Sequence, residues 1–456
     1  MVIEVIENFE KYIKNPVISY RLNTFYSDII MDKVHLIKRV EEILKLPFIK
    51  VKHKICILNP DETIAHQIPY EDVVSGSISY SENLQNGTRR DLSFTLINTS
   101  GKYTPILNSS RGTVVKNYFD QSTVSSIKKN ASFTQHPLWA CTKFSYDIGI
   151  AVSNDEYIWF NKGVFILDKA TASQEDSRKE VKIQSKDKYS RFEGKTGKFL
   201  TAMEIPAGSD FIQVVKDLLT QSLGHGYNFD IKPPIFSPFF IGQKTPVSIK
   251  KEAGDTISSI FEELGTQMEA EFYYNEQGYF CWDKINEIML DSHKPICWVY
   301  EKKNGDLLNV SEDFNYEDAV NMIKVVGNNI DKKIYQALAV NDDPRSPFRV
   351  SEIGNRLGDI ITDANVWSDL MALDLARYHL RKNNLACLKT SVSAKINPLI
   401  KLNQLIQINH SFFNLSHEKF VVNSISFSDN SYEMSIGVSN ISNLTFNEAG
   451  DEGYVY

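Results

Sequence analysis

One pattern occurs twice in this chain, and it constrains the fold more than any other feature. The first copy runs Gly163-Val164-Phe165-Ile166-Leu167-Asp168-Lys169-Ala170, crosses a polar stretch and returns in Val181-Lys182-Ile183-Gln184-Ser185. The second runs Lys419-Phe420-Val421-Val422-Asn423-Ser424-Ile425-Ser426-Phe427, turns at Asp429-Asn430-Ser431 and returns in Met434-Ser435-Ile436-Gly437-Val438, about 255 residues later. In each copy an aromatic and two aliphatic residues lead into alternation between the two faces of a strand, and a second alternating strand follows a polar turn. The reading is one β module present twice; the competing reading is a chance match between two amphipathic hairpins. A ring-forming module carried twice per chain would let a low-order oligomer stack on a ring of twice its order.

With 456 residues, 42% of them hydrophobic and 23% charged, the chain is long enough for two to four domains with real cores. A net charge of -7, with no Lys/Arg run longer than a pair such as Lys128-Lys129, disfavours nucleic acid as a tightly held ligand. Passage of nucleic acid through a mildly acidic channel is compatible with that charge, since weak repulsion prevents sticking. The N-terminus Met1-Val-Ile-Glu-Val-Ile-Glu is acidic and lacks a basic segment ahead of an apolar one, and no stretch has the length to span a bilayer. The expectation is a soluble chain made in a cytoplasm. Cys56, Cys141, Cys281, Cys297 and Cys387 are odd in number and never in CxxC spacing, so buried free thiols are expected rather than disulfides or a zinc site.

Residues 1–48 read as helical, with Val34, Ile37, Val40, Ile43 and Leu44 on one face until Pro47. From Val51 the period changes to two, and Asn59-Pro60-Asp61 supplies turn chemistry. Asn86-Gly87 predicts a hairpin between residues 77–83 and 90–98, while residues 100–140 read as a long loop. Asp210 is placed to cap a helix over 211–223 with Gln213 at the capping-box position, and Asp255 to cap a second whose Ile257, Ile260, Phe261 and Leu264 share a face. The hairpin Glu271 to Trp282 completes an α+β unit between two β-rich regions. Farther on, Met322 to Gly327 reads as a strand, residues 344–358 as loop, and Asn365 as the cap of a helix to Lys382 with Trp367, Leu370, Met371, Leu375 and Tyr378 along its stripe.

No constellation specifies chemistry. Gly194-Lys195-Thr196-Gly197-Lys198 invites a phosphate-loop reading, but Tyr189 stands where the Walker spacing requires glycine, so a flexible junction is expected. Gly224-His225-Gly226 reads as a helix stop, and His410 and His417 have no cysteines nearby. There is no HExxH, GxSxG or GxGxxG. Glu262-Glu263 reads as a solvated helix face, and Phe272, Tyr274, Tyr279, Phe280 and Trp282 as core more than as a sugar- or partner-binding platform. No catalytic, cofactor-binding or metal-ligating residue is assigned, and no cofactor is expected.

The order of elements resembles the bacteriophage baseplate or tail hub proteins of the late control gene D group. The resemblance rests on the β region with its long polar insertion, the Gly/Thr junction, the helix after Asp210, Thr245-Pro-Val-Ser-Ile leading to Gly254-Asp-Thr-Ile-Ser-Ser-Ile-Phe-Glu-Glu-Leu, the hairpin turn Asn275-Glu-Gln-Gly278, and Ala372-Leu-Asp-Leu-Ala-Arg ahead of Lys395-Ile-Asn-Pro-Leu-Ile. It covers roughly residues 50–440; the N-terminal 48 have no counterpart, and residues 397–404 lack the Pro-Gly-Asp turn often found there. The implied fold class is mainly β with α+β: an N-terminal helical extension (1–48), a first tail-tube-like β-barrel domain with a long insertion loop (49–195), an α+β domain (196–303) and a second tube-like β-barrel domain (304–456). The implied function is that of a non-enzymatic homotrimeric hub in the virion. It would join the tail tube or distal tail protein ring to a central spike or tip protein and pass tape measure protein and DNA on ejection, with no stable membrane insertion. The alternatives are a wall-degrading or receptor-binding tip protein and a hexameric distal tail adaptor.

Overall fold

The computed structural model describes residues 37–59, 61–99, 103, 138, 142–153, 156–175, 178–220, 232–268, 270–284, 295–314, 317, 319–330, 333–344, 346, 348–363, 366, 368–413, 415–440 and 454–455. The expectations for residues 1–36, the loop around 104–137, the Gly224 stop, the Asn365 cap and Trp367 lie outside them. Residues 37–44 are helical, as their spacing predicts. They seat Val40 and Leu44 in the main core, and the Arg39 guanidinium donates to the Val152 carbonyl at 2.8 Å.

The first β region contains β1 (Val51–Leu58), β2 (Ile64–Gln67), β3 (Ser79–Asn83), β4 (Arg90–Ile97), β5 (Lys143–Ala151), β6 (Tyr157–Glu175) and β7 (Arg178–Asp187). An α+β unit follows, with β8 (Met203–Ile205), β9 (Ile235–Phe236), β10 (Ile249–Lys251), β11 (Ala270–Tyr274), β12 (Phe280–Lys284) and the helices Phe211–Thr220 and Ile257–Met268. The last third holds β13 (Ile296–Glu301), β14 (Leu307–Phe314), β15 (Met322–Ile330), β16 (Lys333–Val340), β17 (Ile361–Thr362), β18 (Leu388–Lys395), β19 (Leu405–His410), β20 (Leu415–Ser428), β21 (Glu433–Asn440), β22 (Tyr454–Val455) and the helix Asp369–Cys387.

Thirteen of these strands form one sheet, mostly antiparallel, whose path runs β14-β18-β21-β20-β3-β4-β7-β6-β5-β1-β2, with β19 and β13 branching from β20. Among the described residues this path is open, with β14 and β2 at its ends, and no closed barrel forms. It contains the same strand order twice: β3-β4-β7-β6-β5-β1 and β14-β18-β21-β20-β19-β13. They differ at one pair, since β1 meets β5 antiparallel whereas β13 meets β19 parallel.

The match extends to register. Phe165 faces Asp187 and Phe420 faces Asn440; Leu167 faces Ser185 and Val422 faces Val438. Both hairpins then slip by one residue at the same place, between Leu167 and Lys169 and between Val422 and Ser424. Asp168 and Asn423 are the extra residues of two β-bulges, which bend the strand and increase its twist. After the bulges Ala170 faces Ile183 as Ile425 faces Ile436, and Ala172 faces Val181 as Phe427 faces Met434. The neighbouring strands agree, with Phe94 opposite Ile183 and Val392 opposite Ile436. A chance resemblance between two hairpins does not reproduce six strands and a bulge.

The two copies share one apolar core, in which Phe94, Phe144 and Ile183 of the first meet Val392, Ile406 and Ile436 of the second in one cluster. They join where the half of β20 beyond the bulge pairs with β3, from Ser424 opposite Asn83 to Ser428 opposite Ser79. Tyr80 stacks on Phe427 across this seam with ring centroids 4.8 Å apart, and the Asp429 carboxylate accepts from the Ile78 N–H at 2.9 Å.

The α+β unit has its own core, into which Phe272, Tyr274, Phe280 and Trp282 all point, as the alternation of the aromatic hairpin predicts. A third core lies between the helix Asp369–Cys387 and the sheet β17-β15-β16-β22. Here the expected stripe holds in part: Met371 and Leu375 are partly buried against this core, and Leu370 departs from it. Leu370 is 68% exposed, and the buried side carries Ala372, Leu373, Ala376 and Leu380, because Ala337 and Ala339 on β16 admit close approach by small residues. The Ser368 hydroxyl accepts from the Met371 N–H at 3.1 Å and so caps this helix. No helix among the described residues is long and apolar enough to cross a membrane.

Candidate functional site at the junction of the repeated sheets

The residues that sequence reasoning weighed for chemistry do not converge. Residues 195–197 form a tight helical turn in which the Thr196 hydroxyl donates to the Arg191 carbonyl at 2.9 Å. A Cβ on Gly197 would lie 2.2 Å from the Phe192 carbonyl oxygen, so the glycine of the expected junction serves close packing. His417 adopts a positive φ of 62° and its ring meets the Gln407 amide at 2.9 Å, while His410 packs against Phe413. Glu262 is exposed as expected, but Glu263 pairs with Lys251. Cys56 and Cys281 are buried, whereas Cys297 is exposed, contrary to expectation.

Asp210 caps its helix as predicted, its carboxylate accepting from the Gln213 N–H at 2.8 Å. Asp255 does not cap the next one: its carboxylate turns back to the Glu252 N–H at 2.9 Å. The helix begins one residue later than that cap would require, at Ile257.

What the fold does bring together is a set of buried charges at the point where the two sheet copies and the α+β unit meet. The β3–β4 hairpin forms as Asn86-Gly87 predicts, but with a longer loop whose tip docks on β11: the Gly87 N–H donates to the Phe272 carbonyl at 2.9 Å, and the Asn86 side chain accepts from the Phe272 N–H at 2.8 Å. In return the turn Asn275-Glu-Gln-Gly278, which joins β11 to β12, reaches the main sheet.

Arg90 occupies the centre. Its Nε lies 3.1 Å from Glu82, its Nη1 donates to the Tyr274 carbonyl at 2.6 Å, and its Nη2 lies 3.8 Å from Glu276. Glu276 also meets Lys401 of the second copy at 3.4 Å, so one carboxylate of the hairpin turn connects to both copies. Beneath Arg90, the Asp187 carboxylate accepts the backbone N–H groups of Arg89, Arg90 and Tyr189 at 2.8, 3.1 and 3.0 Å. Beside it, Lys162 donates to the Pro398 carbonyl at 3.1 Å, tying β6 to the loop before β19.

A second group surrounds Glu62, which has a positive φ of 64° and a side chain only 1% exposed. Lys143 and Lys188 lie 2.9 and 2.7 Å from its carboxylate, and Lys232 completes the set. Lys188 and Lys232 also donate to the Gly278 and Gln277 carbonyls at 2.9 and 2.7 Å, so both groups hold the same hairpin turn.

Burial by itself would raise the Glu62 carboxyl, yet the lysines outweigh it and hold it at about 2. Burial likewise opposes ionisation of Glu276, and Lys401, Arg90 and Lys162 bring it down to about 2. At Asp187 burial wins over the backbone donors and raises the carboxyl to about 6. These groups are arranged to fix three pieces of structure together; no acceptor, nucleophile and open cleft converge among them. The signal that could have found the site is charge inside strands, Glu82, Arg90 and Lys162: Glu82 and Arg90 stand opposite one another across the β3–β4 hairpin, while the other partners of Arg90 and Lys162 lie far away in the sequence.

No family model matches the chain, and no curated protein does. Among solved structures, the 43 kDa tail protein of prophage MuSo2 from Shewanella oneidensis superposes with a TM-score of 0.55 at 11% identity, covering 87% of this chain and 100% of that one. The tail protein from Neisseria meningitidis MC58 gives 0.54 at 9% identity, covering 86% and 98%. The chain has the fold of these phage tail proteins.

Proposed function

We propose that this protein is a structural hub of a phage tail or related particle: a homotrimer in which two sheet modules per chain make a ring of pseudo-sixfold symmetry. The observation that carries the reading is the identity of strand order, register and bulge position between the two copies. It is supported by the tail-protein fold and by the resemblance to tail hubs. Three chains with two modules each present six similar units to a sixfold tube or distal tail ring above, and threefold symmetry to a spike or tip protein below. In that assembly each module closes into a tube-like barrel with its neighbours. The domain division proposed with it is the helical extension, first module, α+β unit and second module, at about the boundaries the resemblance implies. A net charge of -7 suits a lumen through which tape measure protein and DNA pass without sticking.

The buried junction keeps the two modules of a chain at one fixed angle, as ring closure requires. Each interface between chains should bury on the order of 2,000 Å² or more. The protein's place is the virion, after synthesis in the host cytoplasm, and its role is non-enzymatic, with no membrane insertion.

Native mass spectrometry of the purified chain over a concentration range, alone and with its neighbouring tail protein, tests this. A species of three chains is expected. Six chains would instead identify a distal adaptor ring, and a persistent monomer would contradict the ring and turn attention to activity on cell-wall polymer.

A further inference from the structure

The seam inside the chain predicts the seam between chains. Within the chain, the part of β20 beyond its bulge pairs with β3. The equivalent of that part in the first copy is residues 169–173 of β6, and the equivalent of β3 in the second copy is β14, because β14 meets β18 as β3 meets β4. Among the described residues both equivalents lack the partner that the repeat provides for. Beyond Leu167, β6 has β7 on one side and no described strand on the other, since its pairing with β5 ends at Ile166. Among the described strands β14 pairs with β18 alone and is an end of the sheet path. Residues 168–175 of β6 are exposed except Ala170, and Ser311 and Asp313 of β14 are exposed. Two long strand edges left open invite pairing with another chain.

We infer that β14 of one copy of this chain pairs with residues 170–173 of β6 in the next, in the register that β3 and β20 use within the chain. This rests on the ring reading above and adds the surface that closes it. Transferring the register residue by residue sets Ala170 against Phe314, Thr171 against Asp313, Ala172 against Glu312 and Ser173 against Ser311. No like charges face one another in this register, which an antiparallel pair requires of directly opposite residues. The seam differs from its template in one respect. Ala172 and Glu312 stand where Phe427 and Tyr80 stack within the chain, so the seam between chains lacks the aromatic pair and is the separable one. The contact is head to tail, using different surfaces on the two copies, and such contacts close into rings when the rotation permits.

The test uses the full chain with Cys297→Ser as background, carrying Ala172→Cys and Glu312→Cys together. Directly opposite residues bring Cβ atoms to about 4.5–5.5 Å, within reach of disulfide formation after small adjustment. Mild oxidation is expected to give a covalent ladder ending at the number of chains in the ring. Ala172→Cys with Asp313→Cys, one residue out of register and on opposite faces, should form it at least tenfold more slowly. Ala172→Glu, on an exposed position, should weaken association about two- to fivefold per seam, and Glu312→Lys added to it should restore it.

Equal rates for the two cysteine pairs, or no ladder in a sample shown by light scattering to be oligomeric, would overturn this seam while leaving the hub reading intact. Cross-links confined to single chains would overturn it too. A chain that stays monomeric at every concentration and with its neighbouring tail protein would remove both the seam and the reading beneath it.

Discussion

Arg90→Leu is expected to lower the stability of the chain by about 3–5 kcal/mol, the usual consequence of removing one partner from a buried charged network. The side chains of Glu82 and Glu276 are 2% and 11% exposed, and both lose their guanidinium partner in the variant. The Tyr274 carbonyl loses its donor as well. Urea unfolding at pH 7 measures the loss.

The pH dependence gives the variant a signature that lost packing would not. In the native chain Glu62 and Glu276 titrate at about 2 when folded, against an ordinary value of 4.5. Their contribution to stability is therefore complete above pH 4.5 and lost as the pH falls toward 2. By proton linkage, a carboxylate held this far below its ordinary range contributes about 3 kcal/mol at neutral pH. Removing Arg90 lets Glu276 protonate at higher pH, so the deficit seen at pH 7 should shrink as the pH drops through 4.5. A deficit that stays unchanged as the pH falls from 7 toward 2 would mean that Arg90 acts through packing and its hydrogen bond to Tyr274 rather than through the charge of Glu276.

Phe427→Asp is expected to prevent folding altogether. The side chain is 7% exposed, stacks on Tyr80 and approaches Tyr146 at 6.3 Å. Losing an aromatic of this kind costs about 3–5 kcal/mol, and an unpaired buried charge adds about 3 kcal/mol or more. Together these equal a large part of the roughly 5–15 kcal/mol by which domains are stable. Because one core spans both sheet copies, neither copy is left intact. The repeat supplies the control. Ala172 is the equivalent residue in the first copy and is exposed, so Ala172→Asp should change stability by no more than about 0.5 kcal/mol. Soluble expression and a far-ultraviolet circular dichroism melt of the two variants decide the matter, and a folded Phe427→Asp chain would contradict the placement of the seam.

These two sites differ in how far the sequence discloses them. The hairpins that carry Phe165 and Phe420 are legible because strand alternation is local, and so is the aromatic core of β11 and β12. The bulges also leave a local trace, in the pairs Asp168-Lys169 and Asn423-Ser424. Two polar residues in succession between Leu167 and Ala170, and between Val422 and Ile425, break the alternation and require one to be extra. The stripe on the helix Asp369–Cys387 is not legible in the same way. Leu370 is a stronger hydrophobe than Ala372 or Ala376, yet the alanines of β16 settle which face is buried. Asp255 fits the cap pattern as well as Asp210 does, but an acceptor two residues ahead of Ile257 finds a nearer donor at Glu252.

The contact of Glu276 with Arg90 and Lys401 has no local signal. It joins residues more than a hundred positions apart, brought together only when the hairpin turn enters the junction. The pairing of β20 with β3 is of the same kind: each strand is recognisable alone, and their adjacency is a property of the whole sheet.

The central claim is that two copies of one sheet module in each chain act as equivalent units of a ring. End-on class averages of the assembled protein by electron cryomicroscopy test it most directly, without imposed symmetry. Six similar lobes around a central opening, alternating in their outer decoration with threefold symmetry, are the predicted result. A ring with only three lobes around the opening, or particles without a ring, would contradict it.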